Sequence, residues 1–169
     1  TLGKSLAEQA FVYQRLGASE PALERIEEAI RIARRLNHAR DVTVRLLRKA
    51  DILMERLQIA DAASVMREAQ FPFDQPFDPE WEVYAGWLTV RCQWLMKPSL
   101  SLKDADILQR LQHWIEKAEV RRFHSLLVLL YDLAAEMLLH AGDKETALTQ
   151  SEKAVRLLEQ NEICEFDEI

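Results

Sequence analysis

The 169-residue chain has few of the residues that make tight turns and cross-links, with only 4 Gly, 5 Pro and 2 Cys. Because soluble proteins average about 7% Gly, this shortage disfavours the turn-rich β barrels and sandwiches. Five prolines without a period exclude a collagen-like chain. The cysteines, Cys92 and Cys164, supply neither a disulfide framework nor a zinc site.

Long apolar runs are missing as well. No stretch approaches the roughly 18 uncharged apolar residues that a membrane-spanning helix needs, and no signal-peptide pattern opens the chain. With 49% hydrophobic residues and a net charge of −6, the chain is too apolar to be disordered. We therefore expect one helix-rich cytoplasmic domain over residues 1–169, without a membrane contact. The start at Thr1 suggests a fragment of a larger protein.

Apolar residues recur at three- and four-residue spacing, which is typical of helices with one buried face. The spacing predicts eight helices, at about 3–17, 20–36, 41–57, 60–70, 80–97, 102–119, 121–141 and 144–160. No run alternates between apolar and polar residues as a strand would, so the predicted class is all-α. Prolines predict an extended linker within 70–80 and a second break at Pro98.

The helices repeat at a fixed offset of forty residues. Small residues recur in paired helices, where they let two backbones approach closely. A third unit, from Trp81 to Ala118, is degenerate, and the spacing returns from Ala135 to Ala154. The first two units match as Ala10, Tyr13, Ala22, Ile26 and Ala29 against Ala50, Leu53, Ala62, Met66 and Ala69.

This spacing resembles the tetratricopeptide repeat (TPR), a helix–turn–helix unit with a glycine between its helices. Gly17 and Gly142 stand at that position, whereas the second unit has Leu57 there and the fourth has Ser151 in place of an aromatic or aliphatic residue. The resemblance implies an α-solenoid of about four repeats with a concave ligand-binding face.

A narrower similarity covers residues 109–168. Its runs are Leu111-Gln-His-Trp-Ile-Glu-Lys-Ala118, Ser125-Leu-Leu-Val-Leu-Leu-Tyr131, Ala141-Gly-Asp-Lys-Glu-Thr-Ala-Leu148 and Phe166-Asp-Glu168. They resemble the closing repeats of the sensor domain in MalT-like, LuxR-type ATP-dependent transcriptional activators. The resemblance implies a regulatory domain that shares its chain with an ATPase module and a DNA-binding domain, and in which ligand binding controls activator assembly.

The concave positions of the repeat, placed on the first helix of three units, predict a groove for a protein partner or a small-molecule effector. In the last of these helices the polar residues recur every four positions, so they share a face that suits a polar ligand or a metal. A solvated stripe is the alternative, and neither a fourth metal ligand nor HExxH is visible. The nine candidates are Phe11, Gln14, Arg15, Asp51, Met54, Glu55, Asp132, Glu136 and His140.

Enzymatic motifs are not found. Gly3-Lys4-Ser5 could end a phosphate loop, but its first glycine would precede Thr1 and no strand leads into it. GxSxG and CxxC are absent, so we expect no enzyme and no cofactor. A deep pocket around Asp132, Glu136 and His140 would reopen that question.

Charge and tryptophan patterns leave alternatives open. Residues 31–49 hold seven basic side chains against Asp41 alone, whereas residues 159–169 are acidic. Without a DNA-reading motif, the basic patch is interpreted as a solvated edge or a domain contact rather than a nucleic-acid site. Opposite charge at the two ends could favour head-to-tail self-association. Trp87 and Trp94 belong to the core or to a partner surface, and Trp81 to the core.

Two functions remain. The first is the regulatory domain of a MalT-like activator. The second is a free-standing TPR adaptor whose groove holds a peptide or helix from a partner protein.

Overall fold

A computed structural model describes residues 2–70, 77–96 and 105–161, and in these residues the chain forms eight α-helices and no strand. This confirms the all-α prediction, and every predicted helix is present with its ends shifted by a few residues. The predicted linker and the break at Pro98 fall largely outside the described residues, as does the run Phe166-Asp-Glu168. The helices are α1 (Leu2–Arg15), α2 (Ser19–Arg35), α3 (Ala39–Glu55), α4 (Ile59–Glu68), α5 (Pro79–Met96), α6 (Ala105–Arg121), α7 (His124–His140) and α8 (Lys144–Asn161).

The chain divides into two compact units, Thr1–Phe77 and Asp78–Ile169. In unit 1, each of the helices α1 to α4 packs against the next one along the chain. In unit 2, α5 packs against both α6 and α7, and α7 packs against α6 and α8. A single domain over residues 1–169 stays a prediction.

The core of unit 1 forms at the positions that recur after forty residues. The repeated alanines of α1 to α4 are at most 2% exposed, so neighbouring helices approach closely there. Larger partners fill the spaces beside them: Ile26, Leu53 and Met66 are buried, and Tyr13 is half-buried. The repeat therefore marks the packing surfaces of these four helices.

The core of unit 2 is built around α5, which is buried on almost every side. Trp87 and Trp94 are each 6% exposed, so both belong to the core, whereas Trp81 is only half-buried. The α6 ring of Trp114 lies directly over Gly86, because a Cβ added there would be 2.1 Å from Trp114 Cε2. Only a glycine lets α5 and α6 approach this closely.

Among the described helices, none combines the length and apolar character that crossing a membrane requires.

The same type of turn follows five of the described helices, α1, α2, α3, α6 and α7. After α1, Gly17 N–H donates to Gln14 O and Ala18 N–H to Tyr13 O, both at 2.9 Å, which is the Schellman arrangement. The same pair of bonds recurs twenty, forty, 105 and 125 residues later. The residue at the centre of each turn has a positive φ: Gly17, Asn37, Leu57, Arg122 and Gly142.

Replacing Leu57 by glycine should raise the free energy of unfolding of unit 1 by about 1 kcal/mol. A left-handed backbone costs an L-residue roughly 1–2 kcal/mol, the extra freedom of glycine in the unfolded chain offsets part of the gain, and the Leu57 side chain is 78% exposed. Hydrogen exchange of peptides from residues 2–70 measures the change. The matched control is Gly17→Ala, which meets no atom within 4 Å and should lower the stability. Leu57→Gly without a gain would contradict the prediction.

Candidate functional site

The structure brings five of the nine predicted residues together where α1 lies beside α3. Gln14 Nε2 donates to Asp51 Oδ2 at 3.0 Å and to Glu55 Oε1 at 2.8 Å. These bonds join side chains that are 37 and 41 residues apart in sequence. The forty-residue offset placed the corresponding positions of α1 and α3 on one surface, and the structure joins them there.

The ring of Phe11 also belongs to this cluster, and two arginine side chains lie over it. The guanidinium carbon of Arg48 lies 5.0 Å from the Phe11 ring centroid, and that of Arg15 lies 6.0 Å away. Such contacts hold a guanidinium over an aromatic face while its edge can still donate hydrogen bonds. We call the set Phe11, Gln14, Arg15, Arg48, Asp51 and Glu55 the α1/α3 surface.

The members of the predicted groove differ in exposure. Arg15 and Glu55 are exposed, and Phe11 and Gln14 are half-buried. Asp51 is only 7% exposed, and its carboxylate accepts a hydrogen bond from the amide of Gln14. Met54 is 1% exposed and belongs to the core rather than to a groove. The reason is geometric: successive helical residues are about 100° apart, so Met54 points inward while Glu55 points outward.

The other three predicted residues lie on one face of α7 in unit 2. Asp132, Glu136 and His140 are exposed, and the His140 ring meets the Trp94 ring of α5 edge-on at 5.5 Å. On the same face, Leu129 O accepts a hydrogen bond from Trp87 Nε1 at 3.2 Å. This face therefore borders α5, and we call Trp94, Asp132, Glu136 and His140 the α5/α7 surface.

The α5/α7 surface lacks the convergence that a metal centre needs. In the part of the chain that the structure describes, no three or more His, Cys, Asp or Glu side chains are placed to hold a metal ion. Asp132, Glu136 and His140 therefore offer separate polar contacts. Nearby, burial and a hydrogen bond to Glu119 raise the pKa of Tyr131 well above its usual range, so this phenol stays protonated.

Two open clefts lie in unit 1 between α2, α3 and α4, with volumes of about 230 and 400 Å³. Neither is lined by a predicted groove residue. Both are lined by Glu27 and Lys49, whose side chains are paired at 2.7 Å. They lie on the side of α3 that faces α2, so α3 separates them from the α1/α3 surface.

Several side chains of the basic patch in residues 31–49 contact other residues of unit 1. Arg34 pairs with Glu68, and Lys49 pairs with Glu27. Arg45 is buried, donating to Ala29 O at 3.0 Å. Arg31 and Arg35 of the same patch are exposed, so its interpretation as a solvated edge or a domain contact stays a prediction.

Reasoning from the sequence missed Arg48 and Trp94. In sequence Arg48 belongs to the basic patch, although it lies three residues before Asp51 and so shares its helix face. For Trp94 the sequence leaves both a core position and a partner surface open, and the structure shows a buried residue whose ring edge meets His140. Helical spacing from the predicted groove positions was the available signal for Arg48.

Comparison with family models, with curated proteins and with solved structures found no match for this chain. The TPR and MalT-like resemblances therefore rest on the residues that carry them.

Proposed function

We propose that the chain is a TPR-like binding module and that it serves as the regulatory domain of a MalT-like bacterial transcriptional activator in the cytoplasm. Binding of an effector or protein partner would change the assembly of the activator. The burial of the repeated alanines and the turns at 20-residue intervals support a repeat architecture. The MalT-like assignment is supported by the runs between residues 109 and 168.

The observation that carries the binding function is the cluster on α1 and α3. Predicted groove positions of two successive repeats meet through Gln14, Asp51 and Glu55, as a surface running across successive repeats requires. Ligand sites combine aromatic side chains with a few placed polar groups that orient the ligand, and Phe11 beside Gln14 and Arg48 offers both kinds of contact. The α1/α3 surface is therefore the proposed ligand contact.

The side chains of the α1/α3 surface favour a ligand that carries both a positively and a negatively charged group. Asp51 and Glu55 suit an ammonium, guanidinium or amide donor, whereas Arg15 and Arg48 suit a carboxylate or a peptide carbonyl. Their spacing over two helices fits an extended peptide. Because the charged groups already interact within the surface, a ligand must replace those interactions, so we expect modest affinity that falls with added salt.

The test uses a library of synthetic peptides that carry one acidic and one basic residue around an apolar one. Peptides that bind the wild-type chain are measured again with the variants Arg48→Ala and Glu55→Ala by fluorescence anisotropy. Each variant should weaken binding about tenfold, because it removes a charge-assisted contact. The control is Arg35→Ala, an exposed residue of α2 outside the surface. Equal affinity for all three variants, or a library without any binder, would contradict the peptide site.

The coding sequence around residues 1–169 tests the regulatory assignment separately. An ATPase module before the chain and a helix-turn-helix reader after it would support the activator. Coding sequence without them would leave the free-standing adaptor, which uses the same surface.

A further inference from the structure

The smaller of the two clefts in unit 1 lies where α2, α3 and α4 meet and has a volume of about 230 Å³. Helices α2 and α4 both pack against α3. Two ion pairs also connect these helices, since Arg34 pairs with Glu68 and Lys49 pairs with Glu27. We call this space the Arg31 cleft, and its lining consists of these two pairs together with Ile30, Arg31 and Leu46.

The Arg31 cleft holds one positive side chain more than it holds negative ones. Arg34 and Lys49 each have a glutamate partner, whereas among the residues that the structure describes no side chain pairs with Arg31. Arg31 also stands three and four residues before Arg34 and Arg35 on α2, and like charges at these spacings repel one another. An anion in the cleft would therefore meet an unpaired guanidinium and reduce this repulsion.

Part of the lining of the Arg31 cleft is apolar. Ile30 and Leu46 border the cleft and are only 4% and 2% exposed, so they belong to the core where α2 packs on α3. The side chain of Lys49 is also largely covered, with 23% exposed. Charged groups beside an apolar surface attract an anion more strongly than charges in open water do, because the local dielectric constant is lower.

The volume of the cleft sets the size of the ligand. One water molecule takes up about 30 Å³ in the liquid, so a cleft of about 230 Å³ has room for about eight. This space is too small to enclose a peptide, and it suits an anionic group with a short apolar chain. The cleft therefore differs from the α1/α3 surface in the ligand that it accepts.

We propose that the Arg31 cleft binds a small organic anion. The carboxylate or phosphate group of the anion contacts Arg31, whose guanidinium can donate two parallel hydrogen bonds to it. The short apolar chain of the anion lies against Ile30 and Leu46. The cleft uses no residue of the α1/α3 surface, so this site is independent of the proposed function.

A chemical-shift titration of the ¹⁵N-labelled chain tests the proposal at low ionic strength, where charge interactions are screened least. The probes are butyrate and butyl phosphate, and acetate and inorganic phosphate are the matched anions without the longer chain. At least one of the longer probes should give saturable shifts in α2 and α3 and should bind at least about threefold more tightly than its matched anion, because the chain buries apolar surface. The probe that saturates identifies the anionic group. Shifts that saturate with neither longer probe would overturn the proposal.

Three variants of exposed residues locate the site. Arg31→Ala should weaken binding of the saturating probe at least about fivefold, because it removes the charge-assisted hydrogen bonds. Arg35→Ala removes the same charge from the same helix outside the cleft and should change the affinity less than about twofold. Glu68→Gln should strengthen binding about two- to fivefold, because it frees Arg34 to contact the anion.

Two results with these variants would contradict the site. If Arg35→Ala weakens binding as much as Arg31→Ala does, the anion only screens the basic patch. If Glu68→Gln leaves the affinity unchanged, the anion does not lie beside Arg34 and is not in the cleft.

Discussion

Replacing Gly86 by alanine should lower the free energy of unfolding of unit 2 by about 3 kcal/mol. The new Cβ would lie 2.1 Å from Trp114 Cε2 and 2.3 Å from Trp114 Cδ2, far inside van der Waals contact. The indole is rigid, so α5 and α6 must separate, and overpacking of this kind costs about 1–3 kcal/mol or more. Urea unfolding followed by tryptophan fluorescence measures the change, because all four tryptophans lie in residues 78–169.

A double-mutant cycle separates the clash from a general intolerance of the site. With Trp114→Ala as background the clashing ring is gone, and Gly86→Ala should no longer destabilise, since alanine favours a helix by about 1 kcal/mol over glycine. Gly142→Ala, in the turn after α7, is the comparison: a Cβ there meets no atom within 4 Å but the backbone has a φ of +86°, so this variant should cost the same with Trp114 as without it. If Gly86→Ala costs as much without Trp114 as with it, the close approach of the two helices is not its cause.

Replacing Arg45 by alanine should lower the free energy of unfolding of unit 1 by about 2–3 kcal/mol. Arg45 is 7% exposed, donates to Ala29 O at 3.0 Å, and pairs with Asp41 at 3.2 Å. Its loss removes a charge-assisted hydrogen bond worth about 1.5–3 kcal/mol together with the packing of the side-chain stem between helices. Hydrogen exchange of peptides from residues 2–70 gives the size of the effect.

Two variants of the same helix serve as controls for Arg45. Asp41→Asn should cost under about 1 kcal/mol, because the Asp41 side chain is 50% exposed and surface ion pairs contribute little. Lys49→Ala breaks the pair with Glu27 near the surface and should cost equally little. A loss for Asp41→Asn that matches the loss for Arg45→Ala would show that the ion pair, and not the bond to α2, holds Arg45.

The positions of the helices followed from the sequence because their causes are local. Apolar residues at helical spacing placed all eight helices, and the small residues at forty-residue intervals placed the closest contacts between them. Both signals depend on residues that are near in sequence or at a fixed offset. The same register also placed Gln14, Asp51 and Glu55 on one surface.

Other features of the site depend on which residues of a neighbouring helix a side chain contacts, and a local sequence pattern does not contain this information. Arg45 resembles its basic neighbours in sequence, yet it is buried because Ala29 O faces it. Arg48 lies over the ring of Phe11, which comes from another helix. Met54 lies in the core and not in the predicted groove, because its side of α3 is covered by packed side chains.

The few glycines show most clearly which features the sequence determines and which the tertiary structure decides. The sequence alone determined that the chain is helical and repeated, since the period of apolar and small residues sets each helix and its packing face. It also placed Gly17 and Gly142 in turns, where the backbone needs a positive φ. Only the tertiary structure decided the role of Gly86, because the ring that requires it comes from another helix, and the packing of two helices sets the distance between them.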